Sequence, residues 1–258
     1  MGSFIQKSKI MNDAINIEYY TPEIAIFHMA DRETKNRFTD QFVALAIRQL
    51  NHLQSDRNVK VVILKGLSDI FCAGATKEEL IKLCSGEISA KDLLLSETLL
   101  AMPVPVIAAM EGGAVGGGLV VGLCADIILM AERSMYGGGF TDLGFTPGMG
   151  FTRLLGSLVG EYIANEMMFT GSLFKGRCFR ARVNYVLPKQ DIMSKAISLA
   201  EIISEKPRKT LEVLKYSLSM EKRKCLIEAR VHEDFMHQIT FNQPGIQAMI
   251  EQRYPETS

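Results

Sequence analysis

Two glycine-containing turns are the places where this sequence could hold a developing negative charge. The first is Phe71-Cys72-Ala73-Gly74-Ala75-Thr76, which follows the strand pattern Val61–Lys65 and precedes the helical Lys77-Glu78-Glu79-Leu80. A small residue after Gly74 leaves the N–H of Ala75 open at a helix entrance. Such donors are unpaired and lie at the positive end of the helix dipole. The second turn is Glu111-Gly112-Gly113-Ala114-Val115-Gly116-Gly117-Gly118, with five glycines in the seven residues from Gly112. Glycines are costly to order inside a regular element, and they suit a place where backbone approaches a ligand or other backbone. Gly117 offers a second N–H at a helix start, and two donors from separate turns are what an oxyanion hole requires. The first segment also reads as a plain strand-to-helix turn. The dinucleotide pattern G-x-G-x-x-G is the rival for the second, but Gly113-Ala114-Val115-Gly116 lacks its spacing and Asp126 comes too early to bind a ribose.

Other reactive groups are scattered. The five cysteines, at 72, 84, 124, 178 and 225, show no C-x-x-C pairing, and the four histidines do not cluster. No metal or redox cofactor is expected from them. The odd cysteine count suggests reduced thiols in a cytoplasmic protein, with Cys72 and Cys124 packed in apolar runs. The 258 residues carry 29 basic and 29 acidic side chains, a balance that argues against nucleic acid as a partner. Lys7 and Lys9 lead into Asn12-Asp13 rather than an apolar run, and Met1-Gly2 lacks the downstream Ser or Thr of a myristoylation site. No apolar run approaches the roughly 18 residues of a membrane span.

The turns need strands behind them and helices ahead of them, and the pattern supplies both. Ile24–Met29, Val59–Lys65, Val104–Met110 and Asp126–Met130 read as strands. Thr39 caps a helix to Leu53, and Gly117–Cys124 is a short buried helix. Strand, glycine loop and helix recur through roughly the first 160 residues, which means α/β with parallel connections. From Gly156 onward the pattern is almost only helical, with helices expected at Asp191–Glu205, from Pro207 to about Met220, and at Leu226–Thr240.

Five segments appear in order: Phe71–Ala75, Pro105–Met110, Gly116–Gly118, Ala125–Ile128 and Gly144-Phe145-Thr146-Pro147-Gly148-Met149-Gly150. Together they resemble the crotonase (enoyl-CoA hydratase/isomerase) superfamily over nearly the whole chain. The resemblance implies a spiral of β-β-α units over 1–195 and a helical C-terminal trimerisation region over 196–258. It implies a homotrimer or hexamer. It also implies a thioester carbonyl held by the N–H groups of Ala75 and Gly117, with Gly116 beside it and Ala73 near the adenine or pantetheine end of the ligand.

The departures from that family carry the reaction. Where hydratases of the family place two glutamates, this chain has Val120 and Phe140. An apolar pair cannot activate water by general acid–base chemistry. Asp142 lies nearby, though strand or loop alternation would normally point it the other way. His237-Gln238-Ile239-Thr240-Phe241-Asn242-Gln243-Pro244 is similar to the end of a decarboxylase subgroup found in polyketide β-branching cassettes. That subgroup also lacks both glutamates and has Gly-Phe-Thr-Pro at the turn. It implies a 3-methylglutaconyl thioester on an acyl carrier protein, or on CoA, which loses CO2. An apolar pocket of Val120 and Phe140 suits that loss, because a desolvated carboxylate leaves more readily as neutral CO2.

His237 matches the subgroup motif and is the expected acid, whereas His232 is expected at the surface. The subgroup's carboxylate-steering lysine would fall at Leu83. Lys82 is adjacent and is taken as its substitute, with a solvated helix lysine as the plain alternative. Basic runs at 206–209 and at Lys222 and Lys224 could meet an acidic carrier, or merely be solvated helix ends. Two further readings stay open. One is an enoyl thioester isomerase or related enzyme using Asp142 or His237 as base. The other is a non-catalytic crotonase-fold protein that binds an acyl carrier.

Overall fold

A computed structural model describes residues 9–11, 14–88 and 94–254. Met1-Gly2, Lys7 and Asn12-Asp13, read above for targeting signals, lie outside the described residues. In chain order the strands are β1 (Lys9–Met11), β2 (Ile15–Thr21), β3 (Ile24–Met29), β4 (Val61–Lys65), β5 (Ile70–Cys72), β6 (Val106–Met110), β7 (Gly113–Val115), β8 (Ile127–Ala131), β9 (Met135–Gly137), β10 (Leu173–Lys175) and β11 (Tyr185–Leu187). The helices are α1 (Asp40–Ser55), α2 (Lys77–Ser85), α3 (Leu95–Leu100), α4 (Gly117–Leu123), α5 (Phe151–Val159), α6 (Glu161–Thr170), α7 (Ile192–Ser204), α8 (Arg208–Leu218), α9 (Met220–Thr240) and α10 (Ile246–Arg253).

Seven strands form one sheet in the order β1-β2-β3-β4-β6-β8-β11, and four form a second in the order β10-β9-β7-β5. The run from β3 to β11 is parallel. Three times the chain crosses the large sheet, then the small one, and then enters a helix: β4-β5-α2, β6-β7-α4 and β8-β9-α5. That repetition is the spiral of β-β-α units. It delivers the two glycine turns, after β5 and β7, to neighbouring places, because β5 and β7 pair directly.

The parallel strands are buried on both faces, so their sequences are continuously apolar rather than alternating. Val62, Leu64, Val106 and Ala108 face the main core with Phe71 and Tyr136. Val61, Ile63, Ile107 and Ala109 face the other way, onto Ile192, Ala196 and Ala200 of α7. Thr39 caps α1 as expected, its hydroxyl accepting from Phe42 N at 3.1 Å. Cys72 and Cys124 are buried and all five cysteines are free thiols.

The expectation of almost only helix beyond Gly156 holds for most of that stretch but missed two short strands. Strands β10 and β11 fall in that stretch and extend the two sheets. Both are three residues long, too short to show a period.

The C-terminal helices are fastened to the core by buried charge. Lys215 Nζ reaches both carboxylate oxygens of Asp126, at 2.8 and 2.7 Å. Lys222 Nζ donates to the Leu123 and Ala125 carbonyls at the end of α4. A cation there complements the negative end of the helix dipole. Arg208 likewise donates to the Asp56 and Val59 carbonyls. Lys222 and Arg208 are therefore engaged within the fold, and Lys206 and Lys209 pair with Glu205 and Glu212.

Candidate active site

The two glycine turns touch. Gly74 has φ +81°, and a Cβ built there would lie 2.6 Å from Val115 O and 3.5 Å from Gly117 N. Only glycine fits this backbone conformation and this approach. Gly116 has φ 56° and ψ −127°, again a glycine conformation, and opens α4. Gly118 and Gly112 are pressed against Cys72 O and Ile70 N, where any side chain would clash. The glycine density noted in the sequence thus serves the contact between the two turns.

Among the described residues neither Ala75 N nor Gly117 N donates to a backbone acceptor. The peptide group that carries each donor is itself polarised from behind. Phe38 N donates to Gly74 O at 2.8 Å, and Leu119 N donates to Gly116 O at 3.0 Å. A carbonyl that accepts a hydrogen bond strengthens the N–H on the same peptide. Ala73, Ala75, Gly116 and Gly117 are all part-exposed, so a ligand can reach them.

The loop that supplies Phe38 is locked in place. Lys35 and Asn36 both have φ 58°. The fully buried Asn36 donates to Met29 O and Phe71 O and accepts from Asp31 N. Asn tolerates the left-handed region better than most residues. The Phe38 ring and the Met149 thioether then pack directly on the Cα of Gly117.

An apolar wall continues from the turns. The Phe140 ring lies over Gly116, with ring carbons 3.6 Å from where a Cβ would stand. Phe140 meets Phe145 edge-on at 5.9 Å, Phe145 stacks on Phe241 at 4.9 Å, and Phe241 meets the His237 ring at 5.0 Å. Ala75, Leu83, Leu143 and Tyr254 pack against the same cluster. Val120, expected to line the pocket with Phe140, is instead fully buried in the main core and presents no surface to a ligand.

His237 sits on α9, 8% exposed, and lines a cleft of about 320 Å³ with Leu83, Cys84 and Phe241. Its Nε2 lies 2.8 Å from Thr146 O. Burial pulls its pKa below the usual value, against the opposing effect of the Thr146 carbonyl and of Glu233. Glu233, one turn earlier, accepts from Gly150 N at 2.7 Å, Thr152 N at 2.9 Å and Thr152 Oγ1 at 2.6 Å. It caps α5 from another helix, so α9 holds the 146–152 turn at two points.

The structure thus brings Ala73, Ala75, Gly116, Gly117 and Phe140 together, with His237 at the far end of the aromatic wall. It does not bring Lys82 to them. Lys82 Nζ pairs with Glu79 at 2.9 Å and Asp40 at 3.2 Å, and both partners raise its pKa. Leu83, at the position the subgroup gives to lysine, is the one that lines the cleft. Asp142 lies against Gly171, within 3 Å of where a Cβ would stand there. His232 is exposed. Reading the sequence missed Glu233, Arg37 and Tyr254. Tyr254 donates to Ala75 O at 2.6 Å.

Residues 21–257 match the model of the enoyl-CoA hydratase/isomerase family, and the chain belongs to that family. Its fold is the crotonase-like α/β spiral. The bacillaene synthase decarboxylase PksI of Bacillus subtilis (strain 168) is 34% identical over 228 residues, covering 88% of this chain and 92% of that one. Among solved structures, a member of a dehydratase/decarboxylase enzyme couple involved in polyketide β-branching superposes with a TM-score of 0.91 at 31% identity, covering 96% and 99% of the two chains. The ECH2 decarboxylase domain of CurF from Lyngbya majuscula gives 0.86 at 33% identity, covering 93% and 99%. The likeness also extends to hydratases, such as the probable mitochondrial enoyl-CoA hydratase 2 of Arabidopsis thaliana, 27% identical over 232 residues.

Proposed function

We propose that this protein decarboxylates a 3-methylglutaconyl-type thioester to a 3-methylcrotonyl-type enoyl thioester in polyketide β-branching. The observation that carries this reading is the pairing of two open N–H groups, Ala75 and Gly117, with an apolar wall where hydratases need acids. The decarboxylases among its relatives support it. The thioester is delivered on an acyl carrier protein or CoA, and no metal or redox cofactor takes part. Among the described residues no helix is long and apolar enough to cross a membrane. The cytoplasm, suggested by the odd count of cysteines, is the compartment of this proposal.

The thioester oxygen sits between Ala75 N and Gly117 N. The bond from the carboxylate carbon to C4 breaks and CO2 leaves. The electron pair moves through the conjugated double bond onto the thioester oxygen, giving a dienolate that the two N–H groups stabilise. Phe140 keeps water from the carboxylate and the dienolate. Protonation then restores the thioester and gives the enoyl product, and His237 is the donor. Its Nε2 is held by a carbonyl, so the transferable proton is the one on Nδ1 of the imidazolium.

The active form is a homotrimer or hexamer, with 1–195 as the spiral core and 196–258 as the helical region that trimerises. Ile227, Val231, Phe235 and Ile239 form an exposed apolar stripe at four-residue spacing along α9, too extensive to stay in water unpaired. Mass analysis of the product tests the function. The carboxylated thioester should lose the mass of CO2 and gain none from water. A hydrated or merely isomerised product would sink the reading.

A further inference from the structure

Helix α10 closes over the first glycine turn. It starts after Gly245, which has φ +82°. Ile246 and Ile250 share one face of it, buried in a cluster with Leu80, Phe145 and Phe241. Tyr254 follows one turn later as the C-terminal cap, and its hydroxyl donates to Ala75 O at 2.6 Å. Burial raises the Tyr254 pKa, so the phenol keeps its proton and stays a donor. The Arg37 guanidinium lies over its ring, 5.3 Å from the centre. The same helix grips the far side of the aromatic wall. Arg253 donates to Asp142 O at 3.1 Å, and Ile246 and Met249 lie against Gly144.

Among the described residues no backbone N–H donates to Ala75 O, and the tyrosine hydroxyl is its bonding partner. Ala75 has one peptide group on each side, and each is held by one hydrogen bond. Phe38 N holds Gly74 O at 2.8 Å, and Tyr254 holds Ala75 O. Only the two soft dihedrals of Ala75 join these planes. Holding both carbonyls therefore sets where the open Ala75 N–H points. Gly117 needs no such help. It is the first residue of α4 and is packed by Phe38 and Met149.

We infer that Tyr254 is a positioning residue for the reaction, its hydroxyl aiming the Ala75 N–H at the thioester oxygen. It touches no reacting atom itself. An oxyanion is stabilised by donors already aimed where the charge develops, and a small misplacement at a site is costly in rate. Without the hydroxyl the Ala75 carbonyl can turn, and the residue's N–H turns with it. The inference rests on the oxyanion role given to Ala75 in the reading above.

Tyr254→Phe tests it, since that variant keeps the ring and its packing and removes only the hydroxyl. Three quantities are compared with the wild-type chain. They are turnover of the 3-methylglutaconyl thioester, calorimetric affinity for S-(3-methylcrotonyl)pantetheine labelled with carbon-13 in its carbonyl, and the infrared stretch of that carbonyl when bound. Turnover should fall by about ten- to a hundredfold, less than when the donor itself is removed. Affinity should stay within about twofold, because the apolar contacts remain. The bound carbonyl should move to lower frequency in the wild-type chain, where two donors polarise it. In Tyr254→Phe that shift should shrink toward the value for Ala75→Pro. Wild-type turnover with a wild-type shift overturns the inference. So does slower turnover with the shift intact and a lower denaturant midpoint, which is what a merely structural hydroxyl would give. A wild-type chain that binds the thioester with no shift at all sinks the oxyanion reading itself, and this inference falls with it.

Discussion

His237 Nε2 lies 2.8 Å from the Thr146 carbonyl oxygen, and a carbonyl can only accept, so this nitrogen carries a proton. The neutral ring then has a bare Nδ1, and only the imidazolium has a second proton to give. His237→Ala should cut turnover by roughly 10²–10⁴-fold, the usual contribution of a positioned acid. Substrate affinity should change little, because the two backbone donors remain. His232→Ala, on an exposed residue of the same helix, is the control and should match wild type in the same steady-state assay.

Burial of the same ring, against the opposing effect of the Thr146 carbonyl, sets a pH dependence. Burial lowers the His237 pKa, so the imidazolium builds up only when the solution is more acid than an ordinary histidine needs. A rate that requires it should rise as pH falls through that lowered pKa. Stability should move the opposite way. Between the folded and the unfolded pKa the unfolded chain binds more protons, so stability increases as pH rises across that window. A pH–rate profile beside denaturant unfolding at each pH checks both signs, and His237→Ala should flatten the two together.

Ala75→Pro removes one oxyanion N–H without taking a hydrogen bond from the fold, since that N–H has no backbone acceptor. Turnover should drop by roughly 10²–10³-fold. A variant with wild-type circular dichroism and wild-type rate would exclude Ala75 N from the reaction.

Glu233→Ala strips the buried caps from Gly150 N and Thr152 N. Leaving a buried donor unsatisfied costs roughly 1–3 kcal/mol, read as a lower denaturant midpoint. Glu233→Gln keeps one acceptor oxygen and should recover part of it. Because the 146–152 turn sets Met149 against Gly117, the Ala variant should also lose activity faster than stability alone explains.

Lys82→Ala should leave binding of the carboxylated substrate within about twofold, since its partners Asp40 and Glu79 form an ordinary surface pair. Calorimetric titration of the wild-type and Lys82→Ala chains with an unreactive amide isostere of the carboxylated substrate checks this.

The seven-residue β2 was missed, whereas strands β3, β4, β6 and β8 and helices α1, α4, α7, α8 and α9 were legible from their apolar runs. Strands β5, β7, β9, β10 and β11 were not, since each has three residues and is defined by its partners rather than its pattern. Both glycine turns could be read because glycine is conspicuous where backbone must meet backbone, as at Gly74 against Val115 O. Arg37 and Tyr254 could not, as they lie 217 positions apart and acquire meaning only where the chain end folds back over the Ala75 turn. Lys82 was placed from adjacency to Leu83. One residue along a helix turns a side chain by about 100°, enough to send it to Asp40 instead of the cleft.

The most direct test of the central claim is a single-turnover reaction with a 3-methylglutaconyl thioester labelled with carbon-13 in its free carboxylate. Labelled CO2 should appear at the same rate as the enoyl thioester, with no oxygen from solvent in the product, and Ala75→Pro should slow both together. Label that stays in the thioester while the double bond moves, or a product that carries solvent oxygen, would contradict the account.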